Sequence, residues 1–221
     1  MTHTVSVDGA AFPVSKILCL ARNYAEHAKE LGGVIPKEPV FFLKPPSCLL
    51  PGGGEILMPT DIGRVDVETE LAVILGRGGR DLSPAEALRL VAGYAVFFDI
   101  TARDLQGKAR KEGQPWSAAK GYDTFGPISP AVPADRVPDP HNLPIRVAVN
   151  GVVRQDSNTK FMVFRIPETL AAISRVMSLE PGDILATGTP EGVWPLAPGD
   201  VLEASIPGVG TLRCTVAARK P

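Results

Sequence analysis

The sequence contains few of the residues that cross-link a small secreted protein. Its three cysteines, Cys19, Cys48 and Cys214, are odd in number and far apart, and no two of them form a CxxC pair. This spacing argues against a disulfide framework and predicts buried, reduced thiols. The N-terminus also lacks the basic-then-apolar pattern of a secretory signal. We therefore expect a cytoplasmic protein.

Net charge and long apolar runs are also nearly absent. The 221 residues carry a formal net charge of -1, the sequence pI is near 6.3, and no basic run stands out. A protein that binds nucleic acid or a membrane surface is expected to carry a basic patch. No apolar run approaches the roughly 20 residues that cross a bilayer as a helix. The sequence therefore predicts neither a nucleic-acid partner nor a membrane partner.

What the sequence does contain is an ordinary globular composition with many chain breakers. Hydrophobic residues make up 44% of the chain, and there are 22 glycines and 22 prolines. This composition suits many short strands and turns better than a helical bundle. We find no repeat, low-complexity segment or linker. We therefore expect a short strand-and-turn extension over residues 1–15 and a single domain over residues 16–221.

Two apolar stretches, residues 65–76 and 93–100, predict buried strands, and both carry carboxylates. Glu68 and Glu70 lie two residues apart, so they point to the same face of their strand. Two adjacent carboxylates repel each other, and burying either one alone is costly. A divalent cation removes both penalties, and Asp99 can supply a third oxygen ligand, a pattern typical of Mg²⁺ or Mn²⁺. The alternative is an edge strand on which Glu68 and Glu70 face solvent.

A short helix is predicted from Tyr24 to about Leu31, just before a glycine pair. It places His27 and Glu30 three residues apart on one face. A carboxylate beside an imidazole fixes its tautomer and raises its basicity, which suits a general base that deprotonates water. The alternative is an ordinary surface pair of small energetic value.

A second short helix, predicted over residues 101–106, carries candidate groups for an acidic substrate. Arg103 and Gln106 share one face of it, and an arginine can bind a carboxylate through two hydrogen bonds. The alternative pairs Arg103 with Asp104 or Glu112 at the surface.

Three further segments can contact an anion. Lys120 stands among small and aromatic residues rather than in a charged run, so it can hold an enolate or carboxylate oxygen. Thr187-Gly188-Thr189 offers hydroxyls and a backbone amide at a strand end, which predicts either an oxyanion cradle or a simple tight turn. Lys44 can steer an anionic ligand, but we expect a solvated lysine at the end of a strand.

Local pattern predicts three other elements. Ser83, Pro84 and Glu86 form a capping box and first turn for a helix that reaches Val91. Residues 167–179 have the apolar spacing of an amphipathic helix. The dipeptide at residues 150–151, Asn-Gly, predicts a two-residue hairpin between flanking strands.

Taken together, the motifs of this chain resemble those of the fumarylacetoacetate hydrolase family, in the family's order and over nearly the whole chain. The matching segments are Arg22-Asn23-Tyr24-x-x-His27-x-x-Glu30, Phe42-Leu43-Lys44-Pro45, Glu68-x-Glu70-Leu71, Asp99-x-Thr101-Ala102-Arg103-Asp104-x-Gln106, Trp116-x-x-x-Lys120, Asn150-Gly151, Gly182-Asp183-Ile184-Leu185-x-Thr187-Gly188-Thr189-Pro190-x-Gly192-Val193 and Ile206-x-Gly208-x-Gly210-Thr211-Leu212. Two departures stand out: Ala21 replaces the family's usual glycine, and Pro46 replaces a common serine or threonine. Neither departure removes one of the candidate metal-ligating or catalytic side chains.

The resemblance implies an α+β, predominantly β fold: a mixed β-sandwich rolled into a partial barrel, with a few short helices, usually assembled as a homodimer. It places Mg²⁺ or Mn²⁺ on Glu68, Glu70 and Asp99. It places a catalytic dyad, His27 and Glu30, on a mobile segment. The residues then expected to contact substrate are Lys120, in a catalytic role, and Arg22, Tyr24, Arg103, Gln106, Gly188 and Thr189, in binding roles.

The chain begins close to the catalytic motifs, as in the short acylpyruvase and oxaloacetate decarboxylase branch of the family. This resemblance implies a metal-dependent hydrolase that cleaves a C–C bond in small 2,4-dioxo acids of the acylpyruvate or fumarylpyruvate type. The products are pyruvate and a carboxylic acid, and oxaloacetate decarboxylation is a further expected activity on a 2-oxo acid. The alternatives are a decarboxylase or isomerase of an aromatic-catabolism intermediate, a keto-deoxy sugar acid hydrolase or dehydratase, and a non-catalytic metal-dependent carboxylate-binding protein.

Overall fold

A computed structural model describes residues 3–30 and 32–219 of the chain. Short strands predominate in it, which confirms the prediction of an α+β, predominantly β fold. The strands are β1 (Thr4–Val7), β2 (Ala10–Pro13), β3 (Ile17–Ala21), β4 (Val40–Lys44), β5 (Leu49–Pro51), β6 (Gly54–Met58), β7 (Val65–Val67), β8 (Thr69–Leu75), β9 (Val91–Phe98), β10 (Thr101–Ala102), β11 (Gly126–Ile128), β12 (Val132–Pro133), β13 (Pro144–Val149), β14 (Val152–Asn158), β15 (Ile184–Ala186), β16 (Trp194–Pro195), β17 (Val201–Ile206) and β18 (Gly210–Ala218).

The α-helices are few and short, as expected. Those among the described residues are α1 (Ala25–Glu30), α2 (Pro84–Leu88), α3 (Arg103–Glu112), α4 (Ser117–Lys120) and α5 (Ile166–Val176). Single 3-10 turns cover Pro46–Cys48, Ala134–Arg136 and Thr159–Phe161. The predicted end of the first helix, at Leu31, lies outside the described residues.

Three of the predicted helices have different bounds in the structure. The helix predicted over residues 167–179 is α5, which ends at Val176. The helix of the capping box forms as α2, with Ser83 and Glu86 bonded reciprocally, but it ends at Leu88 because Val91 already begins β9. The helix predicted over residues 101–106 starts two residues later and continues to Glu112 as α3. It stops at Gly113, whose positive φ of 68° no longer fits a right-handed helix.

The strands form two large sheets and two small ones. The order in the eight-stranded sheet is β4-β3-β15-β8-β9-β11-β5, with β12 paired to β9, and in the five-stranded sheet it is β14-β13-β17-β18-β6. A three-stranded sheet runs β10-β7-β16, and β1 pairs with β2. The predicted hairpin at residues 150–151 joins β13 and β14, and both turn residues have the positive φ that such a turn requires.

The main hydrophobic core lies where the two large sheets face each other. Alternate residues of β8, Leu71 and Val73, belong to the same cluster as Val147 of β13 and Leu202 of β17. The helix α5 adds side chains such as Leu170 to that cluster. Burying each large apolar side chain stabilises the fold by about 1.5–3 kcal/mol, so this cluster defines how the sheets are arranged.

A second, smaller core covers the opposite face of the eight-stranded sheet. Ala72 and Ile74 of β8 contribute to it, and the β1–β2 hairpin adds Val5 and Val7. The strand and turn predicted at the N-terminus are therefore present and packed on the sheet, while the division into extension and domain stays a prediction. All three cysteines are buried and unpaired. Among the described residues, none of the helices is both long and apolar enough to span a membrane.

The stretch predicted as one strand over residues 65–76 is two strands with a break at Glu68. β7 before the break joins the three-stranded sheet, and β8 after it lies between β15 and β9 in the eight-stranded sheet. The backbone of Glu68 still accepts a hydrogen bond from Asp99 N, 2.9 Å away. The break therefore keeps the carboxylates beside the end of β9, where Asp99 follows the strand.

Candidate active site

The three carboxylates predicted from the two strands lie together and are buried. Glu68, Glu70 and Asp99 are 5%, 1% and 1% exposed, and one oxygen from each lies within 4.8 Å of the others. This burial rules out the alternative of a solvated edge strand. We call these three side chains the carboxylate cluster.

The donor set of the carboxylate cluster fits Mg²⁺ or Mn²⁺. All three donors are carboxylate oxygens, which these hard cations prefer. Burial first, and then the charges of Asp99 and Glu68, raise the pKa of Glu70 well above its ordinary value. Among the described residues, no lysine or arginine forms an ion pair with Glu70. A divalent cation held here would supply that missing positive charge.

The other two carboxylates are paired with buried cations. Lys120 Nζ donates to Glu68 Oε2 at 2.9 Å, to Asp99 Oδ2, and to Thr101 Oγ1 at 2.6 Å. Burial lowers the pKa of Lys120, but Asp99 and Glu68 outweigh that effect and raise it above its ordinary value. The lysine is therefore charged at neutral pH, although it is 1% exposed.

Lys44 corrects a sequence-based expectation. We expected a solvated lysine at a strand end, but Lys44 is 1% exposed and donates to Asp99 Oδ1 at 2.6 Å and to the carbonyl of Ile100 at 3.1 Å. Asp99 is thus held between two lysines. The expectation was wrong because the partner of Lys44 is 55 residues away along the chain.

Arg103 also faces the cluster rather than the surface. Its guanidinium donates to Asp66 Oδ2 at 2.7 Å, to Gln106 Oε1 at 2.7 Å and to Glu68 Oε1. The alternative that paired Arg103 with Asp104 or Glu112 at the surface is therefore wrong. Burial raises the pKa of Glu68, but Lys120 and Arg103 outweigh it and hold that pKa well below its ordinary value.

His27 and Glu30 of α1 lie at the same cleft. His27 Nδ1 is 3.2 Å from Glu30 Oε2, so the predicted neighbours are in contact. The second oxygen of Glu30 accepts a hydrogen bond from Gly192 N at 3.1 Å, which ties α1 to the loop after β15. His27 is 6% exposed and lines the cleft together with the carboxylate cluster.

The structure separates the predicted substrate-binding residues into two groups. Those on the cleft wall are Arg22, Arg103, Gln106 and Thr189. Tyr24 instead belongs to the main hydrophobic core, and burial raises the pKa of its hydroxyl. Gly188 does not line the cleft, but its N–H donates to Glu70 Oε2 at 2.7 Å. The cradle predicted at the strand end therefore holds a carboxylate of the protein itself.

Comparison with known proteins agrees with this geometry. The model described as "Fumarylacetoacetate (FAA) hydrolase C-terminal" matches residues 16–217. The chain belongs to the fumarylacetoacetate hydrolase family. Its β-rich half-barrel fold is that of this family, and its close relatives are metal-dependent enzymes.

Several relatives in the family have names that specify an activity. Oxaloacetate tautomerase FAHD1, mitochondrial, of Arabidopsis thaliana is 46% identical over 205 residues, which are 93% of this chain and 92% of that protein. Oxaloacetate decarboxylase, mitochondrial, of Dictyostelium discoideum is 45% identical over 197 residues, 89% of this chain and 90% of that protein. The crystal structure of fumarylpyruvate hydrolase from Pseudomonas aeruginosa, in complex with Mn²⁺ and pyruvate, superposes with a TM-score of 0.94. It is 36% identical and covers 99% of this chain and 97% of its own.

Sequence reasoning missed four buried polar residues that support the family's site. Asp66 binds Arg103, and Thr101 accepts from Lys120. Asn23 holds the start of α1, because its amide donates to the carbonyl of Thr187 at 2.8 Å. Gln155 bonds Thr69 of β8 and Thr189 of the loop after β15. Asp66 carried a signal, since it lies two residues before Glu68 in the same apolar stretch, whereas the other three act through distant segments.

Proposed function

We propose that this protein is a metal-dependent hydrolase that cleaves a C–C bond in 2,4-dioxo acids, giving pyruvate and a carboxylic acid. The observation that carries the proposal is the contact between His27 and Glu30 at the cleft that contains the three buried carboxylates. A base positioned beside a divalent-cation site is what hydrolysis requires. Binding alone requires no such base.

Glu68, Glu70 and Asp99 would hold the cation. Mg²⁺ or Mn²⁺ bound there supplies Lewis acidity that polarises the carboxylate and 2-oxo oxygens of a substrate. The protein contributes the burial that excludes bulk water, and Lys120 and Arg103 keep Glu68 ionised.

His27 is the proposed general base. Glu30 Oε2 accepts a hydrogen bond from Nδ1–H of His27. This leaves Nε2 of the same ring to accept a proton from water. The resulting hydroxide attacks the distal carbonyl carbon of the dioxo acid. The bond between that carbon and the methylene next to the 2-oxo group then breaks, and the acyl fragment leaves as the carboxylic acid. The electron pair of that bond forms the enolate of pyruvate, which is then protonated to pyruvate.

Lys120 is the proposed partner of the enolate oxygen. Its ammonium lines the cleft and already contacts two of the three carboxylates. All three of its N–H groups are used in the described structure. It therefore reaches a substrate oxygen by exchanging one of these contacts, and the exchange is favourable only when negative charge develops on the substrate.

The walls of the cleft support an acidic substrate. Arg22 and Arg110 line it, and neither forms an ion pair with an acidic residue of the described chain. The lining also includes the apolar side chains of Leu20, Phe42 and Trp116. Such a cleft accommodates a charged 2-oxo acid head together with an acyl chain, and the arginines favour an acyl chain that carries a second carboxylate.

Oxaloacetate decarboxylation is the second candidate on the same site. Loss of CO₂ from oxaloacetate leaves the same pyruvate enolate, and no water attack is needed. The names of the plant and Dictyostelium relatives favour oxaloacetate as a substrate. The isomerase alternative also has a named relative, since the structure of 5-carboxymethyl-2-hydroxymuconate delta-isomerase from Mycobacterium smegmatis is 39% identical and superposes with a TM-score of 0.84.

The first experiment measures pyruvate release with Mg²⁺ or Mn²⁺ and then with EDTA, on acetylpyruvate, fumarylpyruvate and oxaloacetate side by side. We expect metal-dependent release from a dioxo acid. Release from oxaloacetate alone would favour the decarboxylase, and a protein that binds metal but acts on none of the three would contradict the proposal.

We further propose a homodimer in a reducing, cytoplasmic environment. The edge strand β4 exposes Val40 and Leu43, which are 47% and 44% exposed, and Val34 nearby is 80% exposed. An apolar edge of this kind is suited to covering by a second copy, which supports the homodimer. Light scattering of the purified protein tests the dimer directly.

Three unpaired thiols support the reducing, cytoplasmic environment.

A further inference from the structure

A buried glutamine connects the carboxylate cluster to the loop after β15. Gln155 is 1% exposed and lies on β14 of the five-stranded sheet, yet its amide reaches β8 of the other large sheet. Its Oε1 accepts from Thr69 N at 3.0 Å. Its Nε2 donates to Thr189 Oγ1 and to the carbonyl of Pro190, both at 2.8 Å. Both donors and the acceptor of this amide are therefore in use.

A β-bulge directs Gln155 toward the site. β13 and β14 pair Val147 with Gln155 and then Ala148 with Val153, so Arg154 is an extra residue in β14. A bulge bends a strand and re-aims its side chains, and bulges are frequent beside active sites. Gln155 is the only buried residue of β14, and every residue of that strand is described.

The bonds of Gln155 replace a missing neighbour strand at the end of β8. β15 pairs with residues 72–74 of β8, and Thr187 N still donates to the carbonyl of Leu71. The segment after β15 no longer pairs with β8 at Thr69, so side chains form the hydrogen bonds to the Thr69 backbone. Gln155 accepts from Thr69 N, and Thr189 Oγ1 donates to Thr69 O at 2.9 Å. Thr69 lies between the two glutamates of the carboxylate cluster, so its backbone sets their separation.

We propose that Gln155 is a positioning residue that fixes the carboxylate cluster relative to the His27–Glu30 pair. Through Thr69 it holds the backbone between Glu68 and Glu70. Through Pro190 it holds the loop whose Gly192 N–H bonds Glu30. It does not line the cleft, so it acts through these groups and not on the substrate. The inference rests on the proposed metal site but not on which substrate is cleaved.

The expected consequence is a change in metal affinity with a change in kcat. Partners that hold metal ligands from behind typically change metal affinity by about 10–100-fold when they are removed. We expect Gln155→Met, which keeps the length of the side chain and removes its hydrogen bonds, to weaken Mn²⁺ binding within that range. We expect it to lower kcat at saturating Mn²⁺ while KM changes less than threefold, because no contact with substrate is removed.

The test titrates metal-free protein with Mn²⁺ by calorimetry and then measures thermal unfolding. Gln155→Glu is the second variant, because it keeps the acceptor for Thr69 N and removes both donors. Ser174→Ala is the control: Ser174 is a buried hydroxyl of α5 that bonds the carbonyl of Ala171 and the N–H of Leu82, away from the cleft. We expect the control to lower stability with its Mn²⁺ affinity unchanged.

A folded Gln155 variant with wild-type Mn²⁺ affinity and wild-type kcat would overturn the positioning role. So would the failure of both Gln155 variants to fold while Ser174→Ala folds, because Gln155 would then serve the fold as a whole. Wild-type protein that does not bind Mn²⁺ would overturn the proposed metal site itself, and this role with it. Wild-type protein that binds Mn²⁺ but cleaves none of the substrates would contradict the proposed reaction and leave the affinity test decisive.

Discussion

Lys44 balances charge in the site although it lies at the end of an edge strand. Its ammonium is buried and bonds Asp99, so Lys44→Met leaves one oxygen of that carboxylate without its cation. Breaking a buried pair by removing one partner typically costs 3–5 kcal/mol. Since Lys120 still pairs with the other oxygen, we expect about 3 kcal/mol lower free energy of unfolding in metal-free protein. Urea denaturation of the variant and of wild-type protein measures this difference in the free energy of unfolding.

The matched control for Lys44 is Lys29→Met. Lys29 forms an ion pair with Glu26 in which both side chains are more than 60% exposed. Such pairs contribute roughly 0–1 kcal/mol. An equal loss of stability in the two variants would contradict the charge-balancing role of Lys44.

His27→Ala separates the two candidate reactions. Hydrolysis needs water activated by the His27–Glu30 pair, while decarboxylation does not. Removal of a general base typically lowers a rate by about 10²–10⁴-fold. We therefore expect pyruvate release from a dioxo acid to fall by that factor and release from oxaloacetate to change much less. Mn²⁺ affinity, measured in parallel, serves as the control. Unchanged hydrolysis in protein that still binds Mn²⁺ would contradict the assigned role.

Among single residues, the sequence predicts those whose local context is unusual. Glu68, Glu70 and Asp99 stand out because carboxylates are rare in apolar strands. Lys44 and Gln155 do not stand out, because what makes each of them important is a bond to a segment that is distant in the chain. Pattern and spacing carry no information about such a partner, and only the packing of the sheets reveals it.

The loop after β15 depends on the backbone conformation of one glycine. Gly192 has a φ of 89°, and a Cβ there would lie 2.1 Å from the carbonyl oxygen of Arg154. Gly192→Ala must therefore displace the loop, and with it the N–H that bonds Glu30. We expect lower hydrolysis of a dioxo acid and a loss of stability greater than that of its control.

Gly199→Ala is that control. Gly199 has a similar φ of 97°, but a Cβ there meets nothing within 4 Å. It therefore isolates the backbone strain, of order 1–3 kcal/mol, from the displacement of the loop. Thermal unfolding and pyruvate release are measured on both variants. Equal effects of the two on activity would show that the Gly192–Glu30 bond does not matter.

Elements follow from the sequence more completely than their ends do. The capping box, the amphipathic helix and the hairpin are all present because each depends on neighbours within a few residues. The break at Glu68 and the bulge at Arg154 were not predicted. Both irregularities result from pairing between strands that are distant in the sequence. They interrupt the regular strands and place Glu68 and Gln155 at the site.

The whole molecule buries three carboxylates between its sheets and helices, and this arrangement couples metal binding to folding. A ligand that binds only the folded state stabilises it by RT ln(1 + [L]/Kd), which is about 2.7 kcal/mol at a concentration of 100 Kd. We expect Mn²⁺ to raise the free energy of unfolding by about that amount at 100 Kd, measured by urea denaturation with and without EDTA.

Two carboxylate-to-amide variants locate the origin of this stabilisation. Burial and the charges of Asp99 and Glu68 raise the pKa of Glu70, so Glu70→Gln should be neutral or stabilising without metal and should abolish most of the effect of Mn²⁺. Glu86→Gln removes an exposed carboxylate at the start of α2 and should leave the effect of Mn²⁺ intact. Equal stabilisation of both variants by Mn²⁺ would place the ion elsewhere in the molecule. A loss confined to Glu70→Gln would mean that one buried cluster connects the metal, the two sheets and the stability of the fold.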